Sequence, residues 1–285
     1  MTMKRTSIII AGLAVAMSGL VACGDDTASN ATDGGTTTST TSSTSTTTPA
    51  AMTSVVAYFV RDEKVAPVRR SGTAATPARA ALEELLTGPV ASETSAGLST
   101  AIPTGTKLLG IDIAGGTATV DLSTEFGSGG GSLSMQERVA QVVYTVTQFS
   151  TAQHVVFRID GSPVPALGGE GLVLDTPQAR PDWESMTPAI LLENPLPGDA
   201  LTSPFDISGT ANTFEATFQV VLTDSSGAKV YEHFVTATSG TGTRGTFTQQ
   251  ISFTGAASGA GTLKVYEASA KDGSEINVVS IPVTL

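Results

Sequence analysis

Gly115-Gly116 sits between two runs of alternating apolar and polar residues spanning 107–122, and no other feature of the chain restricts its fold so tightly. A glycine pair takes the positive φ angles of a two-residue hairpin turn, so the turn fixes which residues face each other. Closed there, the hairpin places Leu109 opposite Leu122, Ile111 opposite Val120 and Ile113 opposite Ala118. One face is then apolar, with Asp112, Thr119 and Asp121 on the other. Such a face has to be covered. Ser134-Met135-Gln136-Glu137 has the form of a capping box, and Met135, Val139, Val142, Val143, Val146 and Phe149 follow at helical spacing. Val155, Phe157 and Ile159 then alternate up to the Asp160-Gly161 turn and predict a third strand.

Upstream, residues 55–60 form a β-branched and aromatic run that reads as the first strand, and residues 61–71 are polar and read as a loop. Thr76-Pro77 starts a helix that carries Ala78, Ala81, Leu82, Leu85 and Leu86 and stops at Gly88-Pro89. Residues 91–106 read mostly as loop, and 172–174 as a last short strand. The order is β-α-β-β-α-β: an α+β domain over 54–182, with a mixed sheet and two helices on one face. Residues 177–188, with the single tryptophan Trp183, read as a connection. Beyond it the pattern is strands alone. Seven candidates, at 190–193, 205–209, 214–222, 230–237, 246–253, 263–269 and 276–283, predict an all-β immunoglobulin-like sandwich within 183–285.

Three segments of the first domain carry a family likeness: PTGTKLLG at 103–110, ATVDLS at 118–123 and QVVYTVT at 141–147. They resemble the GerMN domain, the sporulation and spore germination domain of bacterial envelope proteins, over about residues 55–182. NPLPGD at 194–199, SGTANTFEA at 208–216 and YEASAKDG at 266–273 resemble the immunoglobulin-like domain of bacterial spore germination over 190–285. That second domain often accompanies GerMN in secreted proteins and lipoproteins. The matching motifs are packing and turn residues, so the resemblance implies a fold and not a reaction.

At the N-terminus, Lys4 and Arg5 precede an apolar run over 8–15 that ends in Leu20-Val21-Ala22-Cys23. This leader is short for a permanent span and reads as a lipoprotein signal peptide, residues 1–22. The small residues before Cys23 resemble a lipobox, with Cys23 as the lipidated first residue of the mature protein. Cys23 is the single cysteine, so the chain holds no internal disulfide. Residues 23–53 are a Thr/Ser-rich disordered linker, and a flexible tether of that length spans about 30 Å. It is either a plain spacer or a carrier of O-linked sugars. The expected place is the outer face of the cytoplasmic membrane, held by lipid.

A net charge of −11 argues against nucleic acid, whose phosphates require clustered Lys and Arg. His154 and His233 are the only histidines; zinc needs three or four ligands, so both read as polar strand residues. No Gly-x-Ser-x-Gly elbow occurs. The loop at 127–132 is either a connection or an anion site lacking the Lys of a phosphate loop. Asp121 and Glu125 read as solvated carboxylates, against the alternative of a glycosidase pair. Phe214-Glu215 and Tyr266-Glu267 read as alternating core and surface positions, or as a sugar-stacking face if the aromatics are exposed. The chain is therefore expected to be no enzyme, to hold no cofactor or metal, and to act as an envelope binding or scaffolding module for a protein partner. The alternative is a cell-wall glycan-binding module, and after it an envelope hydrolase.

Overall fold

The computed structural model describes residues 51–285 apart from 170 and 254–257. Cys23, the leader and the Thr/Ser tract lie outside the described residues. The first strand, β1 (Met52–Arg61), turns at Asp62-Glu63, both at positive φ, into β2 (Lys64–Thr73), with Val60 opposite Val65. Residues 61–71 are therefore mostly strand and not the expected loop. Their apolar signal is hidden because Arg70 does the work of an apolar residue. Its guanidinium pairs with Glu93 at 2.6 Å and lies 5.3 Å from the Phe59 ring centre, so its stem covers core while its charge is held at the rim.

Helix α1 (Pro77–Thr87) starts at Pro77 and stops at Gly88, whose φ of 79° ends it. The short α2 (Ala91–Ser95) lies in the expected loop region. Strands β3 (Leu108–Ala114) and β4 (Thr117–Leu122) close on Gly115-Gly116, with Ile111 opposite Val120 and Ile113 opposite Ala118. A bulge between Leu108 and Gly110 puts Leu108, not Leu109, opposite Leu122, and Leu109 faces solvent.

Helix α3 (Ser132–Val146) begins two residues before the expected capping box. Ser134 is thus inside the helix, and its hydroxyl accepts a hydrogen bond from Arg138 instead of capping. Strand β5 (His154–Ile159) runs parallel to β4, and β6 (Ser162–Pro163) completes a mixed sheet in the order β3-β4-β5-β6. A small ribbon of β7 (Ala166–Leu167) and β8 (Leu172–Val173) follows.

The α+β class holds, but β1 belongs to its own two-stranded ribbon and not to the mixed sheet. Helix α3 explains why. Along its apolar stripe Met135, Val139, Val142, Val143 and Val146 are buried, yet so are Arg138, Gln141, Tyr144 and Thr145. Gln141, Thr145 and Gln148 recur at i, i+4, i+7 and so share one face. That face meets the outer edge of β1. Gln148 accepts from Val56 N at 2.9 Å and donates to Val56 O at 2.6 Å. Thr145 accepts from Tyr58 N at 3.0 Å, and Gln141 donates to Tyr58 O at 3.1 Å. Ser99 pairs with Val60 through two backbone bonds of 2.8 Å. Side chains of a helix thus stand in for a missing strand, and buried backbone groups stay satisfied.

The C-terminal region is a sandwich of all seven expected strands. In chain order these are β9 (Ile190–Asn194), β10 (Phe205–Ala211), β11 (Thr217–Thr223), β12 (Lys229–Thr236), β13 (Gly245–Ile251), β14 (Ala260–Ala268) and β15 (Glu275–Thr284). One sheet has the order β13-β10-β9 and the other β12-β11-β14-β15, every pair antiparallel. Phe218 and Phe247 meet edge to face at 4.8 Å in the core between the sheets. Each fully buried Ile, Leu or Val there contributes about 1.5–3 kcal/mol.

Two local expectations fail. Phe214–Ala216 is a 3-10 turn with Glu215 at φ 53°, which leaves Phe214 half exposed. Glu267, not Tyr266, keeps the inward phase of Leu263 and Val265; its carboxylate accepts from Phe214 N at 2.8 Å and Asn277 Nδ2 at 2.7 Å.

Strand β9 joins the two regions by its alternation. Leu191 enters the first core, together with Trp183 and Met186, while Ile190 and Leu192 enter the sandwich core.

Candidate binding groove

The residues singled out for chemistry are not brought together. His154 opens β5 and His233 lies on β12, both exposed, and no group of three or more His, Cys, Asp or Glu among the described residues could hold a metal ion. Asp121 accepts from Gly161 N at 3.0 Å. Glu125 accepts from the Ser123 hydroxyl at 2.5 Å, and that bond holds its carboxyl below the usual range. A glycosidase acid needs the opposite shift.

The glycine loop is also accounted for. Arg138, 1% exposed, donates to the carbonyls of Phe126 (2.6 Å), Ser128 (3.1 Å) and Gly129 (3.1 Å) and to Ser134 O and Oγ. All five guanidinium donors are thereby used within the protein, so the loop wraps a cation and is not an anion cradle.

Polar contacts fasten the sandwich to the first region. Tyr58 donates its hydroxyl to Glu193, which also receives Arg180 Nη1 at 2.7 Å. The Arg180 guanidinium lies 4.7 Å from the Tyr144 ring centre, an arrangement that suits a shielded cation. Burial pushes the Tyr58 phenol well above the usual tyrosine range and keeps it a neutral donor. Arg244 forks onto Glu184 at 2.7 and 3.0 Å, and Asn212 adds a bond of 2.9 Å. Arg69 forks onto Asp199 at 2.8 and 2.7 Å. Burial raises the carboxyls of Glu184 and Asp199, but the arginine hydrogen bonds outweigh it and hold both below the ordinary range.

Beside this joint lies a groove of about 480 Å³. Val65 and Pro67 of β2 line one side, Pro188 and Leu192 the floor, and residues 277–282 of β15 the other side. The two flanking strands differ. On β2 the groove-side backbone includes Pro67, which has no N–H to offer. On β15 alternate residues point away from β14: Thr284 N donates to Asp199 O, Thr284 O accepts from Leu201 N and Pro282 O accepts from Gly198 N. Ser280 shares their phase, and its N–H and C=O have no partner among the described residues. Arg61 is among the lining residues, and its Nε is buried without a hydrogen-bond partner.

None of the lining residues is aromatic, His or Cys, and Asp62 is the single carboxylate. A lone carboxylate supplies no acid–base pair, and Ser280 has no base beside it to make a nucleophile. Sequence reasoning missed the groove because its walls come from segments more than 200 residues apart, 61–67 and 277–282. The available signal was the proline at 282, inside a run that otherwise reads as strand.

The sporulation and spore germination family model matches residues 43–165, and that of the immunoglobulin-like domain of bacterial spore germination matches residues 189–274. The chain carries a GerMN-type domain followed by a spore-germination immunoglobulin-like domain. Among solved structures it is similar to the first GerMN domain of the sporulation protein GerM from Bacillus subtilis, with 27% identity, 46% of this chain and 99% of that chain covered, and a TM-score of 0.39. It is also similar to the tandem GerMN domains of that protein, with 21% identity, 70% and 61% covered, and a TM-score of 0.40. No curated protein matches. Neither matched family is one of known enzymes. The GerMN match ends before Arg180, Trp183 and Glu184, and the immunoglobulin-like match begins after them. The groove draws on both domains and on Pro188 in the segment between the two matches.

Proposed function

We propose that this chain is a lipid-anchored, non-catalytic envelope protein of the sporulation and germination type, whose two domains work together as one binding module for a protein partner. The observation that carries the reading is the lining of the groove: aliphatic and proline side chains, an open strand edge, and no pair of groups fit for catalysis. Protein segments are recognised by such edges and apolar walls. Lipidation at Cys23 follows from the leader and the lipobox-like run before it. No helix among the described residues is long and apolar enough to cross a membrane.

A glycan reading has one observation in its favour. Phe234 and Tyr266 flank Gln219 on neighbouring strands of the four-stranded sheet, and Phe234 is half exposed. Against it, Lys264 lies 4.8 Å from the Tyr266 ring centre and occupies that surface.

Complementation of a deletion strain separates the two readings. Val278→Asp, in the groove, is expected to lose function with normal melting and localisation, while Phe234→Ala with Tyr266→Ala keeps it. The reverse result, with sedimentation of the protein on isolated cell wall, would establish the glycan module. Cys23→Ser is expected to free the protein from the membrane fraction, and an intact mass without acyl groups on the wild type would rule out the anchor.

A further inference from the structure

We infer that the groove takes an extended peptide segment of a partner protein, which adds as a strand to β15 at Ser280 and places a carboxylate on Arg61. This rests on the binding reading above and names the chemistry of the partner.

Three features converge on one occupant. The first is the edge. Ser280 presents an N–H and a C=O that nothing satisfies among the described residues, and a passing strand would pair with both. The window is short. Pro282 O is already bonded to Gly198, and a register shift interrupts β15 between the partners of Val265 and Glu267. Natural edges are blunted by prolines and bulges, and here these devices flank an opening without closing it. Residues 278–281, between Asn277 at positive φ and the occupied Pro282, extend over about 10 Å at strand rise, which pairs with three or four residues of a partner.

The second feature is the wall. Pro67, Pro188 and Val278 give apolar surface along that track and no ring for a sugar to stack on. Alternate side chains of an added strand point to opposite faces, so an alternating apolar pattern is the one selected.

The third is charge. The chain carries a net −11, yet the groove lining holds Arg61 and Lys64 against Asp62 alone. Lys64 donates to Ser185 O. Arg61 belongs to no ion pair among the described residues, and its Nε is buried unpaired. The terminal guanidinium nitrogens of Arg61 also enter no hydrogen bond among the described residues, and that fork matches a carboxylate. An acidic residue in the bound segment pairs with that fork.

The test is selection of a random peptide library displayed on phage against the purified full chain, followed by affinity measurement on synthetic copies of the winners. Enriched peptides are expected to alternate apolar residues around an Asp or Glu. Arg61→Gln and Ser280→Pro are each expected to weaken them about tenfold or more, with melting unchanged. If Ser280→Pro fails to fold, Arg61→Gln decides. Absence of enrichment, enrichment of cationic peptides, or equal binding by the folded variants overturns the inference. Should peptides fail while Val278→Asp still loses complementation, the peptide inference falls and the binding module stands. Should Val278→Asp complement fully, the binding reading falls with it.

Discussion

Strands β1 and β15 both end a sheet, and they meet opposite fates. The outer edge of β1 is closed by Gln141 and Thr145 of α3, by Gln148 just past its end and by Ser99. The edge of β15 is closed at Pro282 and Thr284 and left open at Ser280. The same backbone chemistry is thus a packing problem in one place and a binding opportunity in the other. What separates them is water. Val56 and Tyr58 lie where α3 packs on β1, so their polar groups must be satisfied internally, whereas Ser280 is exposed and hydrated until a partner arrives.

The largest effect should come from opening the closed edge. Gln141→Leu leaves the buried Tyr58 O and the partly buried Ala101 N without their side-chain partner, a loss of about 2–4 kcal/mol, read by chemical denaturation. Thr145→Val conserves shape and orphans only Tyr58 N, so about 1–3 kcal/mol is expected. If either variant were as stable as the wild type, the side chains of α3 would not be closing that edge.

Acid should loosen the joint beside the open edge by less. Asp199 and Glu184 are held below ordinary carboxylate values in the folded protein. Their contribution is therefore complete above the unfolded values, near pH 4, and disappears as pH falls through the lower folded ones. Both pairs are partly in solvent, which limits each to about 1 kcal/mol or less. Melting temperature should stay level from pH 7 to 5 on account of these pairs and drop below pH 4, and Glu184→Gln should flatten part of that drop. A joint indifferent to both changes would mean that apolar contacts through Leu191 and Trp183 hold it alone.

Ser280→Pro should have the smallest effect on stability, within about 0.5 kcal/mol, because an outward edge position with no hydrogen bond tolerates proline. A large loss would show that the N–H is already used.

Much of this was legible in the sequence, and the failures share a cause. The Gly115-Gly116 turn, α1 between Pro77 and Gly88 and the seven sandwich strands were legible because local chemistry decides them. Strand β2 was not, since Arg69 and Arg70 break the apolar alternation and only their partners Asp199 and Glu93 reveal their role. The buried face of Gln141 and Thr145 looked like the solvent side of an amphipathic helix. Glu267 followed the phase of its strand and not its polarity. These misses are polar side chains whose partners sit on other elements, and the groove is missed for a related reason, being built from both ends of the folded region.

Amide hydrogen exchange on the free full chain compares the two edges most directly. Strong protection is expected at Val56 and Tyr58, near that of the core strands, and rapid exchange at Ser280. Protection at Ser280 in the absence of any partner would show that this edge is closed as well and that the two strands do not differ.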